Sequence, residues 1–110
     1  MNARVVLRDQ GFDPEFADWA KAKVLAAFSR YGDEIARVQI TASDVNGPRG
    51  GDDKRCALRL QTRLFGQLSF DSVDAEPRRA VARVIRRARR FIQRSLSVRR
   101  SHRRSGPTAD

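Results

Sequence analysis

Cysteine, histidine, tryptophan, tyrosine and methionine occur once each in this 110-residue chain, and negative charge is nearly missing from its last third. Each scarcity excludes something. Cys56 has no partner for an internal disulfide, so a reducing cytoplasm is the expected location. His102 lies among arginines near the end, with no second histidine and no nucleophile placed to work with it. The neighbouring acids Asp33-Glu34 and Asp52-Asp53 fall in expected loops and read as solvated turns, not as catalytic or metal-binding pairs. The stretch Gly47-Pro48-Arg49-Gly50-Gly51 is no phosphate cradle, because two acids and a strand follow it where a helix N-terminus is needed. No enzyme, cofactor, metal or small-molecule substrate is expected. The longest apolar run is Val24-Leu25-Ala26-Ala27-Phe28, far short of the roughly 20 residues of a membrane span. The opening residues lack an extended apolar region with a cleavage site behind it, so no secretion signal is expected.

What is present is positive charge, and it is segregated. Residues 1–77 hold 11 Lys and Arg against 12 Asp and Glu, whereas residues 78–110 hold 12 Arg and a single acid, Asp110. The formal net charge of +10 therefore belongs almost wholly to the last third. None of those cations is lysine. A guanidinium is a planar fork that matches phosphate oxygens two at a time and stacks on exposed bases, which an ammonium cannot do.

Periodicity supplies the elements. Arg4 to Arg8 reads as a short strand. Asp13 as N-cap and Pro14 at the first helical position predict a helix running to about Tyr31, with Gly32 as a left-handed C-cap. Phe16, Ala20, Val24, Ala27, Phe28 and Tyr31 form its apolar face. Strands over 37–43, 54–63 and 67–72 follow from period-2 alternation, with Val38, Ile40, Ala42, Cys56, Leu58, Leu60, Thr62, Leu68 and Phe70 inward. The segment 44–53 between the first two reads as a mobile loop, and Leu64-Phe65-Gly66 as a hairpin connection. Asp74-Ala75-Glu76-Pro77 is a helix-start signal, and this last helix is expected to reach about Val98. The order β-α-β-β-β-α predicts an α+β two-layer sandwich, double-stranded-RNA-binding-like, with a four-stranded sheet and both helices on one face.

At 100° per residue, Val81, Val84, Ile85, Ala88 and Ile92 share one stripe of the second helix, with Phe91 at its edge. Arg79, Arg83, Arg86, Arg87, Arg90 and Arg94 occupy an arc of roughly 100° nearly opposite, and Arg78 and Arg89 flank it. Arginines four apart repel by a few tenths of a kcal/mol per pair, and no acid is expected to be placed to relieve them. A solvated face enriched in arginine by base composition is the plain explanation; a surface for a polyanion is the functional one, and the unrelieved repulsion favours it. An acidic membrane suits it poorly, since the apolar stripe is Val, Ile and Ala and is already needed by the sheet. RNA is favoured over DNA because a rigid helix-and-sheet platform reads shape and phosphate spacing.

The element order with a basic second helix resembles the ribosome hibernation-promoting and ribosome-associated translation inhibitor family. The likeness is carried by Gly66-Gln67-Leu68-Ser69-Phe70, by Val73-Asp74-Ala75-Glu76, and by the run from Ala80 to Arg90. Lys23 and the segment from Arg30 to Ile35 add to it, and it spans roughly residues 4–97. The resemblance implies a factor that binds the small ribosomal subunit in the channel of messenger RNA and transfer-RNA anticodon stems and silences idle ribosomes. By position it implies ribosomal-RNA contacts at Lys23, Arg30, Arg83, Arg86, Arg87, Arg90 and Arg94; Arg79 joins them from the arc. Arg78 departs from the family, which often has an aromatic there. The chain ends soon after the second helix, as in the short type. Residues 1–98 are thus expected to form a ribosome- and RNA-binding domain, and 99–110 a basic disordered tail. Two other classes stay open: a general RNA-binding or ribosome-assembly module, and a structural domain whose outer sheet face meets an acidic protein. Arg37, Arg55, Arg59 and Arg63 on that face either extend the RNA surface or are merely solvated. Trp19 reads as core that borders the apolar face.

Overall fold

A computed structural model describes the backbone of residues 1–46 and 52–105, and the side chains of 1–45 and 53–98. The strands are β1 (Asn2–Leu7), β2 (Ile35–Asn46), β3 (Asp52–Thr62) and β4 (Gly66–Asp74); the helices are α1 (Phe16–Phe28) and α2 (Pro77–Ser105). They form the expected α+β sandwich. The four-stranded sheet runs in the order β1-β2-β3-β4. β1 pairs in parallel with β2, so α1 is the crossover between them, as parallel strands require. β2, β3 and β4 are an antiparallel meander. α1 packs on β1 and β2, α2 packs on β3 and β4, and the helices touch each other.

Alternation explains the layers. Val38, Ile40, Ala42, Cys56, Leu58 and Leu60 are fully or almost fully buried on the helix side of the sheet. Phe16, Ala20, Val24 and Phe28 meet them from α1, and Val81, Val84, Ala88 and Ile92 from α2. The opposite sheet face carries Arg37, Gln39, Arg59 and Gln61 and has no layer over it. At Gly66 the β3–β4 turn takes a left-handed conformation (φ 68°), which glycine adopts without a Cβ penalty. The Thr62 hydroxyl locks that turn, donating to the Gly66 carbonyl (2.7 Å) and accepting from the Phe65 N–H (2.9 Å).

Five local expectations are corrected. Asp13 is not the N-cap of α1, which begins after Glu15 without a side-chain cap. Asp13 instead turns the chain ahead of the helix, accepting from the Glu15 N–H (3.1 Å), and holds Arg78 with both carboxylate oxygens (2.7 and 3.1 Å). Gly32 is right-handed (φ −56°), because a 3-10 turn over Ser29–Tyr31 extends the helix and the Gly32 N–H donates to the Ser29 carbonyl. The ends of the expected 44–53 loop are strand: Asp44 and Lys54 face each other across β2 and β3 and form an ion pair. The rest of that loop, 47–51, lies outside the described residues. Finally, α2 continues through 99–105, where disorder was expected; 106–110 lie outside the described residues. Glu34 also differs from a solvated turn acid. It is buried and accepts the Leu64 N–H (2.7 Å), tying the start of β2 to the β3–β4 turn.

Candidate nucleic-acid interface

The start of α2 is pinned from two sides. Pro77 opens the helix, where its missing N–H costs nothing. Asp74 accepts the Glu76 N–H (2.9 Å), and this bond, with Arg83 and the charge of Arg79, holds its carboxyl below the ordinary 3.8. Arg78 spans to α1: besides gripping Asp13, its guanidinium lies over the rings of Trp19 (5.4 Å) and Phe16 (5.9 Å). The hydrogen bond from Arg78 in turn lowers the Asp13 pKa. Arg78 is thus a clamp between the two helices. Trp19 is partly buried against the core, as expected.

The arginine arc divides into two sets. Arg83 donates to the Ser72 hydroxyl (2.9 Å), the Val73 carbonyl (3.1 Å) and the Asp74 carboxylate (2.9 Å). Arg87 donates to the Asp71 carbonyl (2.7 Å), and Arg79 lies 3.7 Å from Asp74. The expectation that no acid relieves these cations therefore fails for Arg79 and Arg83. The reason is topological: α2 folds back along the strand that precedes it, so successive turns of its flank meet the end of β4. Because β4 is an edge strand, Asp71 and Val73, two residues apart, offer carbonyls that no fifth strand covers. Arg87 and Arg83 occupy them.

Arg86, Arg90 and Arg94 are exposed and make no ion pair or hydrogen bond among the described residues. Arg86 and Arg90 line a shallow depression of about 230 Å³ with Arg89 and Gln93 and no acid. Arg89 is half-buried, and its Nε is buried without a hydrogen-bond partner among the described residues. Three guanidinium groups around one hollow form an anion-binding arrangement. Arg89 is the residue that the helical arc placed on its flank and that the candidate set left out.

Gln93 also lines the neighbouring cleft, about 450 Å³, with Arg30, Tyr31, Asp33, Glu34 and Leu96. Arg30, whose guanidinium lies over the Tyr31 ring (6.0 Å), is thereby brought beside the arginines of α2. Lys23 is exposed and sits over the same Trp19 ring as Arg78 (5.8 Å), on the flank of α1 that faces α2, but in neither hollow. On the open sheet face Arg55 is paired with Asp71 (2.7 Å), while Arg37 and Arg59 have no ion pair among the described residues. Cys56 is buried core, as expected, and burial pushes its thiol up to about 11. Among the described residues no helix is long and apolar enough to cross a membrane, and no group of three or more His, Cys, Asp or Glu could hold a metal ion.

A mixed four-stranded sheet under two helices, in the order β-α-β-β-β-α, is a fold class seen in solved structures. One is the protein Y N-terminal domain of Thermus thermophilus, with TM-score 0.66 and 20% identity over 86% of this chain and 98% of that one. Another is a ribosomal subunit interface protein from Coxiella burnetii, with TM-score 0.67 and 10% identity over 88% of this chain and 99% of that one. At such identities the likeness is one of fold. No protein-family model matches the sequence. No curated protein matches it either.

Proposed function

We propose that this chain is a non-enzymatic, cytoplasmic ribosome-associated factor that binds ribosomal RNA of the small subunit. It does so in the channel of messenger RNA and transfer RNA, and so silences idle ribosomes. The observation that carries this reading is the set of exposed arginines without partners among the described residues, Arg86, Arg90 and Arg94, the first two of which line a hollow with Arg89. Like charges left unpaired on one face repel each other and are relieved by an external polyanion. The sharing of a fold with a ribosomal subunit interface protein supports the ribosome as that polyanion. In this reading residues 1–98 are the binding domain, and the arginines between 99 and 104 add charge to it.

The roles of the eight candidate residues differ. Arg86, Arg90 and Arg94 make the primary phosphate contacts, joined by Arg89. Arg30 and Lys23 extend the surface across α1. Arg79, Arg83 and Arg87 contribute field while they hold the helix to β4. The test is translation in a cell-free system primed with limiting messenger RNA. Added protein lowers the yield, and excess messenger and transfer RNA restore it. Inhibition that competing transfer RNA leaves unchanged contradicts the channel. Equal affinity for naked duplex RNA and for small subunits favours a general RNA-binding module instead.

A further inference from the structure

Phe91 breaks the pattern of its helix. It is 41% exposed, although α2 has a fully buried stripe beside it. Helical spacing puts it on the β4 flank, between Arg87 one turn before and Arg94 one turn after. Its ring meets Phe65 of the β3–β4 turn (centroids 6.2 Å, 84° between planes) and Phe70 of β4 (6.1 Å, 64°). Both contacts are edge-to-face in kind, so neither neighbour stacks flat on the ring, and together they fix its orientation. Val98, two turns further along the same flank, is 68% exposed.

With 41% of its surface open, the ring has apolar area available to a partner. Here it is bordered by guanidinium groups, of which Arg94 and the adjacent Arg90 have no internal partner among the described residues. A partner for this spot must be flat and apolar where it meets Phe91 and anionic on both sides of it. An unpaired nucleobase on a strand whose phosphates follow α2 has that chemistry; an acidic protein segment supplies the charge without the flat face, and an apolar protein surface the reverse. We propose that Phe91, held by Phe65 and Phe70, is a stacking platform for one unpaired base of the bound RNA. This rests on the RNA-binding reading above and adds a base contact to its phosphate contacts.

The full chain is titrated with a 12-nucleotide single-stranded RNA and with the same backbone made abasic throughout, at fixed salt. Phe91→Leu keeps apolar packing against Phe65 and Phe70 but removes the aromatic face, and Phe91→Tyr keeps the face. Phe91→Leu is expected to weaken binding of the base-bearing strand about tenfold, near the low end for one stacked base. Its affinity for the abasic strand and its salt slope stay as in the parent chain, and Phe91→Tyr binds both strands like the parent. Equal weakening on both strands, or none on either, overturns the stacking platform while leaving the phosphate contacts standing. If the parent chain binds neither strand, the RNA-binding reading itself falls.

Discussion

Replacing Arg86, Arg90 and Arg94 together by alanine removes three exposed guanidinium groups that hold nothing among the described residues. Stability should therefore stay within about 0.5 kcal/mol of the parent, the range of ordinary surface changes. RNA binding should not survive so well. With Lys23, Arg30 and Arg89 these residues offer six cations to phosphates. Neutralising about six phosphates on an A-form or B-form duplex gives a slope of log affinity against log salt of about −5, which means a loss of order a thousandfold between 50 and 200 mM salt. Removing three contacts brings the slope to about −3 and the loss over the same range to roughly fortyfold. The assay is fluorescence anisotropy of a labelled ribosomal-RNA hairpin at four or more salt concentrations, beside a thermal melt of each variant. An unchanged slope in a folded triple variant would refute the assignment of phosphate contacts to this face. It would direct attention to Arg37 and Arg59 on the open sheet.

The paired arginines should behave in the opposite sense. Arg83→Ala removes donors to Ser72, Val73 and Asp74, and is expected to lower Tm by roughly 5 °C while changing the salt slope little. The reversal Arg83→Glu is worse, since it sets a second carboxylate beside Asp74, so it cannot serve as a clean test of binding. The pH dependence follows from Asp13 and Asp74, both held below the ordinary 3.8. Each binds its proton less readily folded than unfolded. The stability they contribute is thus complete above that ordinary value and is lost as pH falls through their folded values. Denaturant midpoints measured from pH 6 to 2 should decline at the acid end, and less steeply in Asp13→Asn, which starts lower. Ile92→Ala, at a fully buried position, should cost about 2–5 kcal/mol in a urea titration. The Cys56 thiol, raised to about 11 and without exposure, should resist a thiol reagent at pH 8 until denaturant is added.

Much of the fold was legible because burial repeats along the chain. Alternation located the three later strands and their inward faces, and the Phe16-Ala20-Val24-Phe28 spacing located α1. The errors lie where a distant residue wins. Asp13 has the chemistry of an N-cap, but Arg78, 65 residues away, takes both its oxygens. Glu34 was read as a turn acid, yet it serves the Leu64 N–H across 30 residues of sequence. The arginine arc was right as a helical surface and too uniform as a site. A wheel drawn from the helix alone cannot see β4 running beneath one flank, so it missed the ties of Arg79, Arg83 and Arg87. It also undervalued Arg89, which lines one hollow with Arg86 and Arg90. The parallel pairing of β1 with β2 had no local signal, because strand order is set by the crossover and not by the strand.

Whether the free arginines of α2 dock on the ribosome is decided by sedimenting the full chain with purified small subunits through a sucrose cushion at physiological salt. The parent protein and Arg83→Ala should pellet at close to one copy per subunit, and the Arg86, Arg90 and Arg94 triple variant should stay in the supernatant. A folded triple variant that pellets as fully as the parent, or a parent that never pellets, contradicts it.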